Sequence, residues 1–247
     1  MTDSTRIGDL RRKYNHPAEV RAQRCEARRG LNVAESMLLA HCPPPSQTGL
    51  VLGCGAGREV AALAAAGWQV TGADLAEAPL AAARGMLRRR GLAAELVLLE
   101  RPFPLPFAPS SFGAVFLLAQ LIEHLTLRAE RLTLLREAAR VLSPQGVAYF
   151  GTHDVRPGDY AELADLAAGG GQPADIMAEK ISGGRSPGGI RLHLYRREEL
   201  LCDLAEAGLQ PLLWLAHEAP GPGHPVWRRF LYLAAAADSR RDVVAPR

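Results

Sequence analysis

Cysteine is scarce in this chain: Cys25, Cys42, Cys54 and Cys202 are scattered, with no C-x-x-C pair. Free thiols are therefore expected, with no disulfide framework and no metal site. No run of eighteen apolar residues occurs and the N-terminus has no hydrophobic signal core, so a cytoplasmic protein without a membrane span is expected. Aromatic residues make up only 6%, few for the stacking platforms of a single-strand RNA or DNA binder. The net charge of +3 demands no polyanionic partner. No Gly-Lys-Ser or Gly-Lys-Thr phosphate loop and no catalytic triad is visible. What is present is 247 residues with 48% hydrophobic content, enough to bury the core of one α/β domain.

The segment Leu50-Val51-Leu52-Gly53-Cys54-Gly55-Ala56-Gly57-Arg58 ends an apolar run in alternating glycines, and Val70-Thr71-Gly72-Ala73-Asp74 ends a second apolar run in an acid. A strand turning sharply into a helix needs left-handed positions and bare backbone for a ligand to approach, which Gly53, Gly55 and Gly57 supply. Asp74, one helix and one strand later, stands where a carboxylate accepts both ribose hydroxyls of an adenosine. Arg58 occupies the sixth position, where a dinucleotide fold requires glycine or alanine. Hydride transfer and phosphoryl transfer thus both lose ground.

Periodicity predicts strands at 49–53, 69–74, 94–99, 113–119 and 147–152, alternating with helices at 58–66, 77–90 and 128–142, the pattern of a parallel sheet covered on both faces. Gly67 and Gly91 fall where helices need left-handed caps. Residues 1–15 are polar and expected to fray. Residues 18–41 read as a helical extension interrupted at Gly30, and Pro43-Pro44-Pro45 links it to the first strand. The arginines of this extension, with Lys13, read as a solvated basic face. Residues 154–192 are rich in glycine and proline and resist regular structure, apart from a short helix at 160–168; a loop this long suggests a mobile lid over the ligand edge. Strands at 209–217 and 227–236 flank the loop Gly221-Pro222-Gly223-His224-Pro225. The expected division is thus an N-terminal extension over 1–45, a domain over 46–237 containing the lid, and a flexible tail over 238–247.

The G-x-G-x-G pattern with Asp74 resembles the first two motifs of the class I S-adenosylmethionine-dependent methyltransferases, and later segments follow in order. Pro104-Leu105-Pro106-Phe107 with Ser111-Phe112 resembles the loop before the fourth strand, and Leu121-Ile122-Glu123-His124-Leu125 the "L-x-EHL" segment after it. Leu134 to Gly146 is similar to the helix and turn before the fifth strand, and Tyr195 to Leu209 to the later helix ending in "AGF". The resemblance covers roughly residues 45 to 235 and implies a Rossmann-like three-layer αβα sandwich, with a seven-stranded, mostly parallel sheet whose last strand is antiparallel. It implies S-adenosylmethionine as cofactor, held by Gly53, Cys54, Gly55, Ala56, Gly57, Asp74, Leu75, Glu100, Arg101, Pro102, Leu118, Ala119 and His124. Two departures stand out. Many members carry an acid at the position of Val51, and the usual "SFD" is Ser111-Phe112-Gly113.

A sulfonium methyl group is already activated, so its transfer needs a positioned acceptor and excluded water, with a general base only where the acceptor must lose a proton. His124, just past the fourth strand, and His153, ending the fifth, are the candidate bases. Cys54 reads as a small loop residue, not a nucleophile. The expected function is methyl transfer to a small-molecule acceptor, by a monomer or homodimer. An RNA methyltransferase is the first alternative, disfavoured because Leu117-Leu118-Ala119-Gln120 replaces the Asn/Asp-Pro-Pro-Tyr/Phe motif of base-amine methylation. A degenerate, non-catalytic partner protein, suggested by Val51 and Gly113, is the second.

Overall fold

The computed structural model describes residues 3–156, 159, 175–181, 184–219 and 228–237. Helices α1 (Asp3–Tyr14), α2 (Pro17–Glu26) and α3 (Val33–His41) precede the sheet. The chain then runs β1 (Thr48–Leu52), α4 (Arg58–Ala65), β2 (Gln69–Asp74), α5 (Glu77–Arg90), β3 (Glu95–Leu98), β4 (Phe112–Leu117), a 3-10 turn (Leu121–His124), α6 (Arg128–Val141) and β5 (Leu142–His153). A two-stranded hairpin, β6 (Asp175–Ile181) and β7 (Gly184–His193), is followed by α7 (Arg197–Ala207), β8 (Leu209–Glu218) and β9 (Arg229–Ala237).

The main sheet has seven strands in the order β3-β2-β1-β4-β5-β9-β8, and β9 runs antiparallel to both its neighbours. The sheet is Rossmann-like, as expected. Strands β1, β4 and β5 are buried on both faces: Leu50, Leu52, Val115, Leu117 and Phe150 pack against α6 and α7, whereas Val51, Phe116 and Tyr149 pack towards α3, α4 and α5. The chain leaves β1 towards β2 and β3 and later returns to β4 and β5 on the other side, so a crevice opens at the carboxyl ends of β1 and β4. Gly67 and Gly91 adopt left-handed φ of 87° and 64° after α4 and α5, as the sequence predicts.

Two local expectations are corrected. Residues 3–14 do not fray; they form α1, whose Arg11 and Lys13 turn towards the protein and are not part of a solvated face. The glycine-rich stretch contains a two-stranded hairpin, paired from Asp175↔His193 to Ile181↔Gly184 with a register shift between Ala178 and Lys180, because backbone pairing needs no large side chains. β7 of this hairpin packs against α1 and the 3-10 turn. The predicted helix at 160–168, the loop at 221–225 and the tail at 238–247 lie outside the described residues.

The extension is fastened to the sheet by charge. The Arg58 guanidinium, in the first turn of α4, donates to Glu35 Oε1 and Oε2, each at 2.7 Å, to Glu59 Oε1 at 2.6 Å and to the Gly30 carbonyl at 2.9 Å. Glu35 also closes the α3 capping box by accepting from the Asn32 amide at 2.8 Å. The residue that breaks the dinucleotide pattern thus holds α3 against α4.

Candidate functional site

The glycine loop follows β1 directly. Gly53, Gly55 and Gly57 have φ of 63°, 51° and 87°, where side chains are strained. A Cβ on Gly53 would lie 2.6 Å from Leu121 Cδ1, and one on Gly55 2.4 Å from Gln23 Oε1. Between them Cys54 is buried, its amide donating to the Ala73 carbonyl at 3.1 Å, and burial pushes its thiol far above the ordinary range. That environment removes any nucleophilic role.

Asp74 ends β2 beside this loop. Its carboxylate accepts from the Gly55 amide at 2.7 Å and from the Ala76 amide at 2.8 Å. Burial raises its pKa while the two amides oppose the shift. A carboxylate oriented by two backbone donors keeps further lone pairs for ribose hydroxyls. The residues that follow form the same edge: the carbonyls of Leu75, Leu99 and Glu100 converge on the Arg11 guanidinium of α1. The side chains of Glu100 and Arg101 are exposed and Pro102 is half-buried.

On the other side of the crevice, Leu118 is buried at the end of β4, and Ala119 and Gln120 both adopt left-handed φ, 51° and 59°. Two consecutive non-glycine residues in that region mark a held, strained turn. The 3-10 turn carrying Glu123 and His124 follows it directly.

The two candidate bases differ sharply. His124 Nδ1 lies 3.1 Å from the Leu121 carbonyl and 3.2 Å from that of Gln120, so Nδ1 carries the proton and Nε2 accepts from the Tyr14 hydroxyl. Burial, aided by Lys13, pushes its pKa down to about 4. It is a neutral packing histidine with both nitrogens engaged. His153, ending β5, is held by Glu123, whose side chain is 0% exposed. Glu123 Oε1 accepts from the His153 amide at 2.6 Å and Oε2 pairs with Nδ1 at 2.7 Å. The carboxylate fixes the proton on Nδ1, which makes Nε2 the acceptor nitrogen of the ring. The ring packs against Phe230 at 5.4 Å between centroids.

Gly53 to Gly57, Asp74, Leu75 and the Glu100 backbone therefore share one half of the crevice, and Leu118, Ala119, His124 and His153 the other. Sequence reasoning missed Arg11, Gln23 and Glu123. Gln23 Oε1, on α2, accepts from the Ala56 amide of the glycine loop at 3.1 Å, and nothing in the spacing of α2 announces this. Glu123 was visible in the "EHL" segment, but its histidine partner lies thirty residues away.

The departure at Gly113 has a packing cause. A Cβ there would lie 2.5 Å from the Ser46 carbonyl and 2.3 Å from Ser46 Oγ, so the linker from α3 leaves no room for an aspartate. Gly113 also sits at the amino end of β4, opposite the crevice.

Comparison with known proteins agrees with this geometry. Residues 50–150 match the family model described as a methyltransferase domain. These residues, less than half of the chain, resemble a methyltransferase domain. A curated ubiquinone biosynthesis O-methyltransferase of Stutzerimonas stutzeri (strain A1501) is 34% identical over 110 residues, which cover 44% of this chain and 46% of that protein. The match thus spans less than half of that relative's length. Among solved structures, a methyltransferase described as S-adenosylmethionine-dependent from Methanosarcina mazei superposes with a TM-score of 0.70 at 20% identity, over 85% of this chain and 99% of that one. The 1,6-didemethyltoxoflavin-N1-methyltransferase of Burkholderia thailandensis, solved with its substrate and S-adenosylhomocysteine, gives 0.67 at 18% identity over 95% and 88%. At these identities the structural matches show the fold alone.

Proposed function

We propose that the chain transfers the methyl group of S-adenosylmethionine to a small molecule bearing an acidic hydroxyl. The observation that carries the cofactor is Asp74, its carboxylate oriented by the Gly55 and Ala76 amides at the mouth of a glycine loop too tight for side chains. These residues fit an adenosine: Asp74 for the ribose hydroxyls, Leu75 and the backbone around Glu100 for the base, and the loop for the amino-acid tail. When bound, the cofactor supplies an electrophilic methyl on a sulfonium.

The chain's own residues have three tasks. The cap of α1, α2 and β7 covers the crevice and excludes water. Leu118 and Ala119 border the space where an acceptor must lie. His153, held by Glu123, withdraws the hydroxyl proton onto Nε2, and the buried Glu123 carboxylate stabilises the imidazolium that results. The printed description of the Stutzerimonas relative, an O-methyltransferase, supports a hydroxyl acceptor.

Titration calorimetry tests the cofactor assignment. The wild-type chain should bind both S-adenosylmethionine and S-adenosylhomocysteine. Asp74→Asn should weaken both by roughly tenfold to a hundredfold, the worth of a charged hydrogen bond. Absence of binding to either ligand by the wild type would refute the reading.

A further inference from the structure

Helix α2 buries one of its side chains far more deeply than its neighbours, and that side chain is a carboxylate: Glu19 is 5% exposed. Burying a carboxylate without a partner is costly, yet Glu19 Oε1 has no hydrogen-bond partner among the described residues. Capping does not account for it. Glu19 occupies the third position of α2, where a carboxylate commonly turns back to the helix start, but here the His16 ring caps the Ala18 amide at 3.3 Å instead.

The surroundings point to a ligand. Gln23 lies one turn further along α2, on the same face as Glu19, and bonds the Ala56 amide of the glycine loop. Lys13, at the end of α1, is 9% exposed, and among the described residues its ammonium meets the Tyr14 ring, 4.6 Å from the centroid, and the Tyr14 hydroxyl at 3.4 Å. That hydroxyl in turn bonds His124 beyond β4. Glu19 and Lys13 thus look onto the strip between the glycine loop and the 3-10 turn after β4. Burial raises the carboxyl pKa and lowers that of the ammonium, while each charge favours the other. The Tyr14 hydroxyl feels the charges of both Glu19 and Asp74.

We propose that Glu19 and Lys13 form a binding site for a zwitterionic amino-acid group, Glu19 taking the α-ammonium and Lys13 the α-carboxylate of the cofactor's methionine tail. One buried charge of each sign, held apart in the cap, matches the two charges of such a tail. Val51, 1% exposed within β1, offers no acid from the sheet, so the carboxylate comes from the cap. The proposal rests on the cofactor reading above.

Ligands that differ only in the tail test it by calorimetry. Glu19→Gln should weaken S-adenosylhomocysteine roughly tenfold or more and leave 5′-methylthioadenosine, which lacks the amino acid, unchanged. Lys13→Gln should weaken S-adenosylhomocysteine similarly but spare decarboxylated S-adenosylmethionine, which lacks the carboxylate. Retained methylthioadenosine affinity also reports an intact fold. The proposal is overturned if Glu19→Gln leaves S-adenosylhomocysteine affinity unchanged or higher, or weakens both ligands equally, or if Lys13→Gln weakens the decarboxylated ligand as much as the other. Failure of the wild-type chain to bind S-adenosylhomocysteine would instead defeat the cofactor reading.

Discussion

His153 and His124 stand at the tips of adjacent strands, yet their partners give them opposite chemistry. His124 stays neutral down to about pH 4, so a rate change near neutrality cannot come from it. With a panel of phenols as acceptors and S-adenosylhomocysteine release as readout, His153→Ala should lower kcat by about a hundredfold or more, with cofactor affinity unchanged. Glu123→Gln removes the charge that stabilises the protonated ring during transfer, so kcat should fall by about tenfold or more with cofactor affinity unchanged. An unchanged kcat would make Glu123 purely structural. At this scale the glycine loop and Asp74 were legible because their roles are local: a turn, a strand tip and a fixed spacing. Glu19, Lys13 and Gln23 were not, because their roles depend on where a separate helical cap docks, and a charged residue on an amphipathic helix reads as solvated.

Among the elements, β4 shows how a sequence departure acquires a physical cause. The linker between α3 and β1 lies against the start of β4, where Gly113 donates its amide to Thr48 Oγ1 at 2.9 Å. Gly113→Asp restores the family residue but drives a side chain into the Ser46 backbone. It should lower the unfolding free energy by about 1–3 kcal/mol in urea titrations, leaving S-adenosylhomocysteine affinity unaltered in the folded fraction. A neutral effect on stability would contradict the packing account. The strands and helices of the sheet were readable from periodicity, most within a residue or two of their observed ends. α1 and the β6–β7 hairpin were not: α1 is polar along most of its length, and the hairpin is built from residues whose composition favours loops. In both, pairing or docking overrides local preference.

For the molecule as a whole, the Arg58 cluster decides what counts as a unit. Glu35 is 2% exposed in its side chain and Arg58 18%, so removing Glu35 leaves that guanidinium with Glu59 as its remaining carboxylate and also opens the α3 capping box. Glu35→Ala should destabilise by about 2 kcal/mol, and scanning calorimetry should still show one endotherm, displaced to lower temperature. Two endotherms, the first sparing the sheet, would show that α3 melts independently. The family match begins at residue 50, yet the guanidinium at 58 takes its bidentate carboxylate from residue 35. A boundary drawn where the recognisable motifs start therefore cuts through a cooperative unit. Fragments trimmed to the matched region would leave Arg58 with Glu59 as its single carboxylate partner among the described residues at the amino end of α4, where the helix dipole is already positive, and their failure to fold would say nothing about the motifs themselves.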